Sequence, residues 1–194
     1  FDDASGGGNV AIGAEALEDN LQSNRNTAVG FGTLNNALNS ENSALGAAAL
    51  FSLVNGGQNT ALGAFALSSN NNATGTIAIG YQAANNALTV DRGIFIGYDI
   101  DAFSTTEDDV LNIGNLIFGQ NVDGTGTTLS TGNIGIGTST PSSKLTVAGD
   151  ALITNGLTAS GTIQFNALTN GLLLADDTGT LTTAATSTLG LGDG

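Results

Sequence analysis

The chain has 194 residues, 40% of them hydrophobic but only 5% aromatic, with 29 Gly, one Pro (Pro141) and no Cys, Met, Trp or His. Three basic residues, Arg25, Arg92 and Lys144, stand against seventeen acidic ones, for a net charge of −14. That balance argues against nucleic acid and against docking on anionic membranes, because both are bound largely through Lys and Arg. No run of about eighteen apolar residues is present, so no membrane insertion is expected.

Ala, Leu, Ile and Val carry most of the apolar volume, which implies a thin core of small aliphatic side chains such as stacked coils need. Glycine at this level with almost no proline fits many tight turns rather than collagen. Without Cys, Met or His the chain resists oxidation and lacks the commonest soft metal ligands, a composition suited to an exposed extracellular fibre. The first residue is Phe1, and no charged-then-apolar leader follows it, as expected of a segment cut from a longer product.

In chain order, the first feature is a repeat. Asn9-Val10-Ala11-Ile12-Gly13, Asn26-Thr27-Ala28-Val29-Gly30, Asn42-Ser43-Ala44-Leu45-Gly46, Asn59-Thr60-Ala61-Leu62-Gly63 and Thr76-Ile77-Ala78-Ile79-Gly80 are copies of one unit. Two weaker copies follow at Gly93-Ile94-Phe95-Ile96-Gly97 and Leu111-Asn112-Ile113-Gly114. The closing glycines, Gly13, Gly30, Gly46, Gly63, Gly80, Gly97 and Gly114, are spaced 17, 16, 17, 17, 17 and 17 residues apart. A second apolar position falls four residues after the glycine, at Leu17, Leu34, Leu50, Leu67 and Ala84, and a third at eight, at Leu21, Leu38, Val54 and Leu88. Asn, Ser and Gly lie between, the residues that tolerate left-handed backbone and make turns. Each unit reads as strand, turn, short strand, turn, with two unequal sheets per coil.

A unit this short cannot bury its apolar face alone, whereas stacked copies build a continuous ladder. Seven coils at the inter-strand spacing would make a rod of roughly 30 Å. Period-2 alternation gives each strand one face of large residues and one of small. The expectation is that the large set, Ile12, Val29, Leu45, Leu62, Ile79, Ile96 and Ile113, fills the roll. The small set, Ala11, Ala28, Ala44, Ala61 and Ala78, would then face neighbouring chains. The recurring asparagines serve either as turn formers or as rungs that hydrogen-bond up the stack.

The Asn-Thr-Ala-Val-Gly and Asn-Thr-Ala-Leu-Gly units resemble the degenerate repeats of trimeric autotransporter adhesin heads and similar repeats in bacteriophage tail fibres, over residues 9 to about 118. The resemblance implies a left-handed parallel β-roll of about 17 residues per coil, three chains around one axis, and adhesion. It does not specify a receptor, because such rolls recur on fibres with unrelated targets.

From Asp99 to Asp123 the chain turns acidic, with Asp99, Asp101, Glu107, Asp108, Asp109 and Asp123. A solvated loop is the plainer reading of such a run, and calcium the alternative, although the spacing is not that of the helix-loop-helix calcium motif. Asn133 to Val147, with Gly135-Ile136-Gly137-Thr138, Pro141, Leu145 and Val147, resembles a junction found in tail fibres and large bacterial surface proteins, where it often precedes further fibre and sometimes a self-cleaving chaperone. It is no phosphate loop, since Pro141, Leu145 and Val147 point to a turn entering a strand. Strands are expected at Lys144 to Ala148, Ala151 to Thr154, Thr162 to Asn166, Leu172 to Ala175 and Thr180 to Thr183, and Ala184 to Gly194 reads as a linker or a strand awaiting a neighbour.

The expected organisation is all-β: a repetitive parallel β-solenoid over 1–118, a connecting coil over 119–137, and a β-rich trimeric shaft or small β domain over 138–194. Catalysis is not expected, because no His or Cys is present and only Lys144 offers an amine beside the many hydroxyls. No catalytic or metal residue and no cofactor is assigned. The expected role is a structural or adhesive fibre segment, a homotrimer at the cell surface, on a virion or secreted, with a cell-surface or glycan receptor. The alternatives are a subunit stacked end to end into a filament and, as a minor one, an ice-binding solenoid using Thr27, Ser43 and Thr60.

Overall fold

The computed structural model describes residues 7–20, 22–86, 89–103, 108–154 and 160, and the backbone of 171–175 and 181–185. It comprises two compact units, Phe1–Ala151 and Leu152–Gly194. Among the described residues there is no helix, and every regular element is a strand.

The first unit is built on one 10-stranded sheet whose spatial order follows the sequence. Strands β1 (Val10–Ile12), β2 (Thr27–Val29), β3 (Ser43–Leu45), β4 (Thr60–Leu62), β5 (Ile77–Ile79), β6 (Ile94–Ile96) and β7 (Leu111–Ile113) lie parallel. Their register places Ala11, Ala28, Ala44, Ala61, Ala78, Phe95 and Asn112 in a single column. Successive windows are therefore successive rungs of a β-solenoid of about six turns, 17 residues per coil. The one 16-residue interval leaves the sheet register intact, with Thr27 opposite Ser43.

The glycine that closes each of β1 to β5 is required by close approach. At Gly13 (φ 130) a Cβ would sit 2.5 Å from the Gly30 carbonyl oxygen, and at Gly30 (φ 134) 2.6 Å from that of Gly46. No side chain fits there.

One expectation fails within each coil. The second half forms no strand, because Leu17, Leu34, Leu50 and Leu67 adopt left-handed backbone, with φ between 52 and 54. Each is nevertheless fully enclosed and ties its coil to the next through single backbone bonds, Leu34 N–H to Ala49 O (3.0 Å) and Leu50 N–H to Ala66 O (2.9 Å) among them. There is thus one sheet per coil and not two. The third inward position also moves by one residue. Ala37 and Leu53 are buried, while Leu38 and Val54 are exposed; Leu21 and Leu88 lie outside the described residues. The cause is a tight turn in which Leu34 O accepts Ala37 N–H and Leu50 O accepts Leu53 N–H (3.3 Å each), returning that residue to the interior.

The stack changes character at its far end. A turn at 114–116 reverses the chain into β8 (Ile117–Gln120), antiparallel to β7. β9 (Asn133–Ile136) is antiparallel to β8, and β10 (Leu145–Val147) is parallel to β9. The sheet thus runs on through the region expected to be a connecting coil, and the compact unit ends at Ala151. Asn133-Ile134-Gly135-Ile136-Gly137 has the form of the repeat itself, which explains its return to the ladder after the inserted β8. Ala151 to Thr154 forms no strand.

In the second unit β11 (Gly171–Ala175) and β12 (Leu181–Ala185) pair antiparallel, with Leu173 opposite Thr183. β12 takes in Ala184 and Ala185, the start of the tail read as a linker or a strand. The expected strand Thr162 to Asn166 lies outside the described residues.

Candidate interaction surface

The alternation of large and small residues is oriented opposite to expectation. Within the chain, Ala28, Ala44, Ala61 and Ala78 point into the roll and are at most 2% exposed. The large set points outward: Ile12, Leu45, Leu62 and Ile96 are exposed, and Val29, Ile79 and Ile113 are half-buried. The reason is volume. The interior must also hold Leu17, Leu34, Leu50 and Leu67 from the opposite wall, and in a coil this short only alanine leaves room for them. Where the inward residue becomes Phe95, neighbouring Gly93 has no side chain and its site is taken by the Phe95 ring.

The outer face of the sheet therefore carries two columns. One reads Val10, Thr27, Ser43, Thr60, Ile77, Ile94 and Leu111, and the other Ile12, Val29, Leu45, Leu62, Ile79, Ile96 and Ile113. No strand of this sheet contains a charged residue, in a chain whose net charge is −14. Across the middle rungs, where hydroxyls replace one column of large side chains, a shallow groove of about 260 Å³ is lined by Thr27, Val29, Ser43, Leu45, Thr60 and Leu62. Thr27, Ser43 and Thr60 do align, but between Val10 and Ile77, as a short hydroxyl patch within an apolar face.

Behind the sheet runs a buried polar ladder. Asn26 Oδ1 accepts the Asn42 N–H (2.8 Å) and Nδ2 (3.2 Å), and Asn42 Oδ1 accepts the Asn59 N–H (3.1 Å) and Nδ2 (3.0 Å). Below it Asn9 Oδ1 accepts the Asn26 N–H (2.9 Å), and above it Asn59 Oδ1 accepts the Thr76 N–H (2.9 Å). The asparagines are thus rungs that link coil to coil, each one feeding the backbone of the next. At the far end Asn112, also buried, turns its Nδ2 to Asp101 O (2.8 Å) and closes the alanine column with a polar group.

The acidic residues are spread over separate tasks. Asp91 accepts the Thr74 N–H (2.7 Å), Asp108 the Asp91 N–H (2.9 Å) and Asp101 the Asn86 N–H (3.1 Å). Two ion pairs join coils among the described residues, Arg25 with Glu41 and Arg92 with Asp109. Arg92 is held more firmly charged than usual by the hydrogen bond and charge of Asp109. Glu41 is held below the ordinary carboxylate range by hydrogen bonds from Gln58 and Arg25 and by the Arg25 charge. Asp123 is likewise lowered, chiefly by the Thr131 N–H (2.7 Å), then by the Thr131 hydroxyl (2.8 Å) and Ser130 (3.2 Å). Glu107 lies outside the described residues, and among those described no three such groups converge as metal ligands. Lys144 Nζ donates to the carbonyls of Thr131 and Gly132 and so serves to close that loop.

A strip of exposed rings, Phe31, Phe51, Phe65, Tyr81 and Tyr98, follows the corner after the strands. Tyr81 stacks on Tyr98 at 5.2 Å between centroids and meets Phe65 edge-on at 6.1 Å. Phe31, Tyr81 and Tyr98 each directly follow a closing glycine, but Phe65 and Phe51 fall two and five residues after theirs, so the sequence does not display the strip as one column.

Together these features define a β-solenoid repeat protein with an uncharged apolar sheet face turned outward. No protein family, curated protein or solved structure matches the chain.

Proposed function

We propose that this chain is a non-enzymatic segment of an extracellular fibre, in which three copies pack their sheet faces around a common axis and turn their polar corners to the surroundings. The observation that carries this reading is the continuous, charge-free face of Val10, Ile12, Val29, Leu45, Leu62, Ile77, Ile79 and Ile96 on a strongly acidic chain. Water would be excluded from that face by a second copy of like pattern, whereas a charged partner would leave its own groups unpaired. Three copies close such a contact without leaving an open surface. The left-handed winding and a slimmer trimeric shaft after residue 138 belong to the same reading.

The role is mechanical and adhesive. Stacked backbone and asparagine bonds resist unravelling, and the Asn- and Ser-rich corners with the aromatic strip meet a cell-surface or glycan receptor. Sedimentation of the whole chain is expected to give a trimer, and Leu45→Asp together with Leu62→Asp a folded monomer with unchanged β-type circular dichroism. A monomeric wild type over the accessible concentration range would defeat the proposal.

A second reading, end-to-end joining into a filament, draws on the two outermost strands, since β1 and β10 each pair on one side only in this sheet. Electron microscopy separates the two. Rods of uniform length favour the fibre segment, and unlimited lengths the filament.

A further inference from the structure

The third coil carries a covalent weak point. Asn55 is exposed at a corner, and its Nδ2 donates to Asn72 Oδ1 of the next coil (3.2 Å), while Val54 N–H and Asn55 N–H both donate to Asn71 O (3.1 and 2.9 Å). The next residue is Gly56, with φ 102, where a Cβ would run into the Ala73 carbonyl. Two separate demands thus meet at one peptide bond: an amide at 55 to bridge coils, and no side chain at 56. In the first, fourth and fifth coils the residue equivalent to Gly56 is Ser23, Ala73 or Val90, all buried, and in the second it is the half-buried Asn39. Rung three has no side chain at that position.

We infer that Asn55-Gly56 is a site of spontaneous deamidation that ages this coil. The Gly56 backbone nitrogen, having lost its proton to solvent base, attacks Asn55 Cγ. A C–N bond forms, the Cγ–Nδ2 bond breaks, and ammonia leaves with a proton from water. Solvent water then opens the five-membered imide at either carbonyl, giving aspartate or isoaspartate. Glycine at 56 matters because it lets the backbone reach the imide geometry and leaves its nitrogen unshielded. Either product replaces the amide donor that Asn72 Oδ1 receives by a carboxylate. Isoaspartate also adds a methylene to the backbone, in a rung where Gly57 already packs tightly against the Ser40 carbonyl.

Asn72 is the internal control, since it is exposed in the same column but followed by buried Ala73. The test is peptide mapping by mass spectrometry after incubating the whole folded protein at mildly alkaline pH. The expected result is an amide-to-acid mass shift at Asn55 growing an order of magnitude faster than at Asn72, with backbone fragmentation identifying isoaspartate and Asn55→Gln abolishing the signal at that position. The sequence also contains Asn155-Gly156 and Asn170-Gly171, on peptides that mapping resolves. Asn55 reacting no faster than Asn72 in the folded protein overturns the proposal, and this outcome is independent of whether the chain forms trimers.

Discussion

The first four coils, Asn9 to Gly75, and the segment from Thr76 to Val147 share one sheet and obey different rules. In those four coils every rung repeats the same inward alanine, closing glycine, left-handed leucine and asparagine, so each layer is both template and lid for the next. In the later segment the inward residue grows to Phe95 and then turns polar at Asn112, the glycine at 114 relaxes to φ 59 with nothing within 4 Å of its Cβ position, and the chain folds back into β8. Phe118 of that strand meets Phe103 at 6.2 Å. The difference teaches that the parallel ladder tolerates a larger or a polar inward residue, as at Phe95 and Asn112, and reverses after Gly114, where the close approach of the closing glycine is gone.

The sharpest way to break the comparison is to place the same substitution in both regions. Gly30→Ala forces a Cβ against the Gly46 backbone at a φ that alanine resists, and is expected to cost about 4 kcal/mol, enough to abolish cooperative melting. Gly114→Ala meets open space and should cost about 1 kcal/mol, the ordinary penalty of left-handed backbone. Equal effects in thermal denaturation would show that coil-to-coil crowding is not what selects glycine.

Next in size is the inner wall. Leu50→Ala should lose about 3 kcal/mol, since Leu50 is fully buried among its neighbours. Leu116→Ala, at an exposed position in the turn before β8, should change stability by less than about 0.5 kcal/mol. Urea titrations of the two variants check this pair.

Removing a rung of the polar ladder should cost somewhat less. Asn42→Ala leaves the buried Asn59 N–H without its acceptor, an expected loss of about 2 kcal/mol. Asn42→Asp should be worse at neutral pH than in mild acid, because an unpaired carboxylate would be buried. A variant indifferent to pH would mean that water reaches the ladder.

The smallest effects concern the carboxylates at each end. Glu41 and Asp123 both titrate below their ordinary values in the folded chain. A lowered folded value stabilises above the unfolded value, and that contribution is lost as pH falls through the folded one. Melting temperature should therefore fall as pH drops below the usual carboxylate range. Glu41→Gln should flatten the part due to the coils and Asp123→Asn the part due to the loop at 121–132. Both groups are exposed, so salt should weaken the Glu41 share, which includes the Arg25 charge, more than that of Asp123, which rests on neutral donors.

Much of the fold was legible before any coordinates. The glycine spacing marked each rung from Gly13 to Gly97, and Leu17, Leu34, Leu50 and Leu67 were recognisable as interior. The direction of the strand faces was not, because alternation separates large from small residues without saying which set turns inward. That choice depended on the opposite wall, whose leucines use the space. The aromatic strip was hidden for a related reason, since Phe51 and Phe65 reach the corner of Tyr81 and Tyr98 from other offsets in the coil. Asn133 to Gly137 carried the repeat's own pattern, but the inserted β8 displaced it from the 17-residue spacing.

By itself the sequence determined the period, the repeat strands β1 to β7 and the all-β class, because each follows from local preferences that recur coil after coil. The tertiary structure alone decided which face is inward, that the second half of each coil is a left-handed turn and not a strand, and where the stack reverses. Those outcomes depend on the volume shared by residues on opposite walls, and no local pattern along the chain measures that volume.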